Sequence, residues 1–284
     1  MLELFNRYIR SMKASLLLAP LFFFATTIAA NTAPFSTIVT PQNSLTAADQ
    51  FDDYFSQLLH LALLKTELTD GKFLLHAHPI WYSDKRRLTA LTEGKIDVLW
   101  SNTSSELENS AQAIKIPLLK NLNDYRLLLI RKEDQALFSQ INTVEDLRKL
   151  KGGMNPQWPD FAVMKANQLP LVTSVAYESF FNMLAAKRFD YFSRGIYQIQ
   201  IEADSHTHLN LVIAEHLMLS YPSGFYFFVD KKNKKLAQRI ERGLHAAIED
   251  GSFDTLFYSF PKYRWGMEQV NNPQRKVIDL SIHE

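Results

Sequence analysis

Two segments of this chain, about ninety residues apart, follow nearly the same plan: Leu88-Thr-Ala-Leu-Thr-Glu-Gly-Lys-Ile-Asp-Val-Leu-Trp100 and Phe180-Phe-Asn-Met-Leu-Ala-Ala-Lys-Arg-Phe-Asp-Tyr-Phe192. Each reads as a helix that ends at a basic turn and enters a short apolar strand opened by an aspartate. A helix feeding a buried strand is one unit of a parallel α/β sheet, so the repetition predicts two lobes of similar construction. Two lobes leave a cleft between them, and ligands bind beyond the carboxyl ends of such strands.

The remaining pattern fits around this repeat. Strands are predicted at 35–40, 72–78 and 96–101, alternating with helices at 47–68 and 86–94. A second β-α-β-α-β set begins with a strand at 125–131. It continues with a helix at 143–150, whose Thr143 and Asp146 suit a capping start, and with a helix ending near Asn167. A strand at 171–175, a helix at 178–187 and a strand at 189–193 complete it. The apolar run 217–229 is broken by Pro222 and Gly224 and reads as two strands, or as one strand and a crossing linker. An amphipathic helix at 234–248 stops at Asp250-Gly251, followed by a short helix near 253–258 and a possible strand at 276–280.

The N-terminus carries Arg7, Arg10 and Lys13 ahead of an uncharged run from Ala14 to Ala30. A basic start, an apolar centre and small residues at the end predict a secretory signal over 1–30, cleaved near Ala29 or Ala30, and hence an exported protein. The run contains Pro20 and is short of the roughly 20 residues of a spanning helix, so no membrane span is expected once it is removed. The leader's three basic residues against Glu3 give it a net charge of +2. The mature chain would therefore carry about −1, against +1 for the whole. That balance offers nothing to nucleic acid or an anionic surface. The chain has no cysteine, which excludes disulfides, a thiol nucleophile, a cysteine metal site and a lipid anchor on cysteine. With 9 glycines and neither phosphate-loop nor dinucleotide fingerprints, no cofactor is expected. His76 and His78 share a strand face but have no third ligand at metal spacing, so no metal is expected. No nucleophile motif appears.

Four segments together are similar to one family. They are the opening strand with its Pro41 loop, Leu91-Thr-Glu-Gly-Lys-Ile-Asp97, Lys187-Arg-Phe-Asp190, and Arg239-Ile-Glu-Arg-Gly-Leu-His-Ala-Ala-Ile-Glu-Asp-Gly-Ser-Phe253. In these the chain resembles the type 2 periplasmic solute-binding proteins, in the family 3 group associated with polar amino-acid uptake. The resemblance implies an α/β, bilobal Venus-flytrap fold with two mixed sheets joined by a two-segment hinge. Lobe 1 would hold 31–124 plus 224–284 and lobe 2 would hold 125–223, with crossings near 123–126 and 221–225. It also implies a monomeric, non-enzymatic periplasmic protein that binds a small polar solute, anionic or zwitterionic, amino-acid-like or an organic acid. The partner would be an ABC transporter of the inner membrane or a sensor.

Two departures stand out against that family. The stretch Trp100-Ser-Asn-Thr-Ser-Ser-Glu-Leu107 lacks the arginine that clamps a ligand carboxylate in amino-acid binders, and Arg194 stands near where an acidic residue is expected. The candidate ligand-binding residues are therefore Arg194 and Arg126 as guanidinium forks, Trp158 as a stacking face, Asp160, and Asn102 and Thr103 as neutral hydrogen-bonding groups. Each has a structural alternative: an ion pair for the arginines, a core plug for Trp158, a helix cap for Asp160. Two other functions fit the same residues. One is a dehydratase-like enzyme with Asp160 as general acid; the other is a protein-interaction module that has lost its small ligand.

Overall fold

The computed structural model describes residues 35–42 and 49–281; the expected leader lies outside the described residues. Strand β1 (Ser36–Thr40) is joined through α1 (Asp49–Lys65) and the single turn α2 (Glu67–Asp70) to β2 (Phe73–Ala77). Tyr54, Phe55, Leu58, Leu59, Ala62 and Leu63 recur on one face of α1, and all are fully buried. That recurrence makes the segment a core helix. Next come α3 (Asp84–Thr92), β3 (Val98–Asn102), α4 (Ser105–Ser110) and β4 (Ala111–Ile114).

The chain then enters β5 (Tyr125–Arg131), whose residues are almost continuously apolar and buried, as a strand covered on both faces requires. Short turns α5 (Gln135–Phe138) and α6 (Val144–Leu147) lead to β6 (Gly152–Met154), α7 (Pro159–Ala166), β7 (Leu171–Thr173), α8 (Ser179–Ala185) and β8 (Tyr191–Gly195). After these come α9 (Ile199–Ser205), β9 (Leu211–Ile213) and β10 (Leu217–Ser220). The chain closes with β11 (Phe225–Asp230), α10 (Lys234–Glu249), α11 (Ser252–Ser259), α12 (Pro261–Val270) and β12 (Lys276–Asp279).

The strands form three sheets among the described residues: β1-β2, β3-β11-β4, and a seven-stranded sheet in the order β12-β10-β5-β8-β6-β7, with β9 also on β5. Two mixed sheets were expected. The first set divides because β1 and β3, although they lie against each other, form no ladder among the described residues; Asp97, just before β3, links to β1, its N–H donating to Val39 O and its carboxylate accepting from Val39 N, each at 2.7 Å. The run 217–229 is two strands, β10 and β11, in different sheets. The tail strand β12 pairs with β10, so the chain returns to the large sheet after helices that pack on α1. On α10, Leu236, Ile240, Leu244 and Ala247 are buried, but Ile248, at the edge of that stripe, is exposed.

The repeat that opened the sequence has a common mechanical cause. Asp190 repeats the work of Asp97: its N–H donates to Lys151 O and its carboxylate accepts from Lys151 N, each at 2.8 Å. Each aspartate thus pins the start of its strand to the adjacent parallel element. The turns before them also match. Gly94 N bonds Leu91 O and Lys95 N bonds Ala90 O, while Lys187 N bonds Leu184 O and Arg188 N bonds Met183 O. Both helices therefore end in the same left-handed cap, at φ 70° for Gly94 and φ 60° for Lys187. A lysine in that conformation is strained. Lys187→Gly is expected to stabilise the protein by about 0.5–1 kcal/mol and Gly94→Ala to destabilise it by about 1 kcal/mol. Urea midpoints of the two variants would show the opposite signs.

Candidate cleft

A cleft of about 590 Å³ opens at the carboxyl end of β3 and faces the loop that leads into α7. One side is Ser101, Asn102, Thr103 and the first turn of α4; the other is Gln157, Trp158 and Pro159. Its size lies within the range of small-molecule sites. Of the six candidate residues, Asn102, Thr103 and Trp158 line this cleft. Arg126, Asp160 and Arg194 are not part of its lining.

The wall at β3 is held by neutral groups. Asn102 Oδ1 accepts from Asn123 Nδ2 at 2.7 Å, which leaves the Asn102 amide nitrogen to donate elsewhere. Asn123 Nδ2 also approaches Ser223 O at 2.6 Å, and Tyr197 OH donates to Asn123 Oδ1 at 2.7 Å. One buried asparagine therefore joins the end of β3 to the segment entering β5 and the segment entering β11. Thr103 N donates to Gly224 O at 2.8 Å, while its hydroxyl donates to Glu108. Lys115 also bonds Glu108, and these two bonds hold that carboxyl below its usual range.

Arg126 and Asp160 are paired with each other. Nε donates to Oδ2 at 2.9 Å and Nη2 to Oδ1 at 3.0 Å, while Nη1 donates to the carbonyls of Asn123 and Tyr125. The guanidinium lies 4.9 Å from the Tyr221 ring centre and its side chain is only 4% exposed. Burial alone would raise the Asp160 pKa, but the Arg126 charge and its hydrogen bonds outweigh this and hold it below the usual carboxylate range. Tyr197 beside them is pushed up to about 12, chiefly by burial.

Arg194 has its own carboxylate as well, one that sequence reasoning missed. Its Nε donates to Glu202 Oε1 and Oε2 at 2.9 and 2.8 Å, and its Nη2 to Oε1 at 2.6 Å. Tyr177 OH adds a fourth bond to Oε1 at 2.7 Å. The guanidinium stands 4.5 Å from the Trp158 ring centre, 5.1 Å from Phe192 and 5.4 Å from Tyr177. Trp158 therefore both plugs the lobe, stacked on Phe192, and faces the cleft. Glu202 was hidden because α9 carries no clear apolar period. Once Ile199–Ser205 is seen as a helix, its first turn faces back toward the end of β8.

No family model matches the chain, and no curated protein matches it in sequence. Its fold does match solved structures. YckB of Bacillus subtilis superposes with a TM-score of 0.56 at 18% identity over 86% of this chain and 95% of that one. An ancestral arginine-binding protein bound to arginine gives 0.54 at 15%, over 78% and 97%. An ancestral amino-acid-binding protein described as a precursor of cyclohexadienyl dehydratase gives 0.53 at 15%, over 79% and 94%. The chain therefore has the bilobal fold of the type 2 periplasmic binding proteins, as its sequence resemblance implied. No helix among the described residues is long and apolar enough to cross a membrane.

Proposed function

We propose that this chain is an exported, periplasmic protein that binds a small polar solute in the cleft between its lobes and passes it to an ABC transporter or a sensor. The observation that carries this reading is the cleft itself, which lies at the carboxyl end of β3 and is lined by neutral hydrogen-bonding groups, by Trp100 and Trp158, and by the oppositely charged Arg87 and Glu106. The division into 31–124 plus 224–284 and 125–223 is part of the proposal, with β12 reaching from the first lobe to the sheet of the second. A ligand touching Asn102 and Trp158 together would draw the two sides closed by its own binding energy.

Arg126 and Arg194, the candidate forks for an anionic or zwitterionic solute, each face a carboxylate of their own chain. The dehydratase-like alternative needs a protonated cleft acid, and Asp160 is held ionised by Arg126. Thermal unfolding of residues 31–284 against amino acids, organic acids, sugars and peptides tests the proposal. A ligand at a hundred times its dissociation constant is expected to add about 2.7 kcal/mol. A well-folded protein whose midpoint no solute moves would favour the protein-interaction reading.

A further inference from the structure

One amide in the cleft lining has its polarity fixed from inside the fold. Asn123, just before β5, is only 2% exposed, and its Nδ2 stands 2.6 Å from Ser223 O, 2.9 Å from Ser223 Oγ and 2.7 Å from Asn102 Oδ1. A carbonyl oxygen only accepts, so Ser223 O identifies this arm of Asn123 as its N–H arm. The other arm agrees, because Asn123 Oδ1 accepts from Tyr197 OH at 2.7 Å. Asn102 must then turn its oxygen toward Asn123, since the reverse orientation would set two donors against each other. The Asn102 amide nitrogen points the other way. It has no hydrogen-bond partner among the described residues and is not one of the buried polar atoms left without one, so solvent reaches it. Asn102 lines the cleft, which makes that nitrogen a pair of N–H donors on the cleft surface. Flipping the amide would break the bond to Asn123 and strand a buried donor.

We infer that Asn123 is a positioning residue: it fixes Asn102 as a donor on the cleft surface, so the solute sets an acceptor oxygen of a carbonyl, carboxylate or hydroxyl group against Asn102, and no ammonium or guanidinium group takes that place. The contact with a solute rests on the solute-binding function proposed above; the orientation of the two amides rests on the bonds of Asn123 alone. Arg87 and Glu106, of opposite sign, line the same cleft, so the donor at Asn102 fixes one contact of the solute and not its net charge. A donor that cannot turn selects partly by exclusion, because a donor-only group brought to it finds no acceptor.

Two isosteric variants of the full mature chain test the orientation without any ligand. Asn102→Asp keeps the oxygen that Asn123 requires and replaces the cleft-facing nitrogen by oxygen, so its urea midpoint is expected to stay close to that of the wild type. Asn123→Asp sets a carboxylate against both Ser223 O and Asn102 Oδ1, and its midpoint is expected to fall well below. Equal losses, or a larger loss in Asn102→Asp, would overturn the inference. Titration calorimetry with glycine, L-glutamine, L-arginine, succinate, glucose and acetamide tests the solute contact. A probe that binds the wild type is expected to bind at least about tenfold more weakly to Asn102→Asp and to the uncharged Asn102→Leu. Folded Asn123→Asp, in which Asn102 can turn round, should lose affinity for the same probe. Unchanged affinity in Asn102→Leu would overturn the acceptor contact and leave solute binding standing; a loss in Asn102→Asp alone would then be charge repulsion. If the midpoints differ as expected while no probe binds the wild type, the orientation stands and the solute-binding function falls, taking the acceptor contact with it. Failure of Asn123→Asp to fold beside a stable Asn102→Asp is the expected asymmetry in its strongest form.

Discussion

Gly243→Ala is expected to cost about 3 kcal/mol or more, a large part of the 5–15 kcal/mol that holds a protein of this kind folded. Gly243 lies on the face of α10 that packs against α1. A Cβ added there would stand 1.9 Å from Ala62 O and 2.5 Å from Ala62 C. Both obstructing atoms are backbone, so no rotamer change relieves the clash and the two helices must separate. Around that contact Leu59, Leu63, Ile240 and Leu244 are fully buried, and all of them would lose packing together. Urea denaturation with circular dichroism measures the effect. A loss under 1 kcal/mol would mean that the helices do not meet this closely in solution.

Asp160→Ala is the second large effect, at about 3–5 kcal/mol, because it leaves the Arg126 guanidinium buried without its counter-ion. The same pair gives the protein a specific acid sensitivity. The folded-state pKa of Asp160 lies below its unfolded value, so its stabilisation is complete above about pH 4, where the unfolded carboxylate is ionised. As pH falls below that value the unfolded chain takes up the proton first, and the contribution is lost progressively toward the folded pKa. Asp160→Asn cannot titrate. Its urea midpoint should therefore fall less steeply than that of the wild type between about pH 5 and 3. Parallel slopes would place the acid sensitivity elsewhere.

Much of the fold is readable where a segment's own chemistry decides it. The strand 125–131 matches β5 residue for residue, as a short apolar run suited to a strand covered on both faces. Thr143 caps its helix as expected, accepting from Asp146 N, although that helix is a single turn. The two-lobe reading came from a repeat whose aspartates and helix ends turn out to make the same hydrogen bonds. What the sequence concealed was short or borrowed from its surroundings. Strand β6 is Gly-Gly-Met, a poor strand former by propensity. It is a strand because it pairs with β7 on one side and β8 on the other, and its first two residues are glycine because the rings of Tyr191 and Phe189 lie where side chains at Gly152 and Gly153 would be.

By itself, then, the sequence determined the α/β order, the paired lobes and the residue types near the cleft, because local periodicity, caps and turns act over a few residues. The pairing of the candidate arginines was decided only by tertiary structure. Arg126 meets Asp160 and Arg194 meets Glu202 across elements that no spacing rule connects, and a guanidinium free to hold a ligand differs from one already neutralised only in what the fold places beside it.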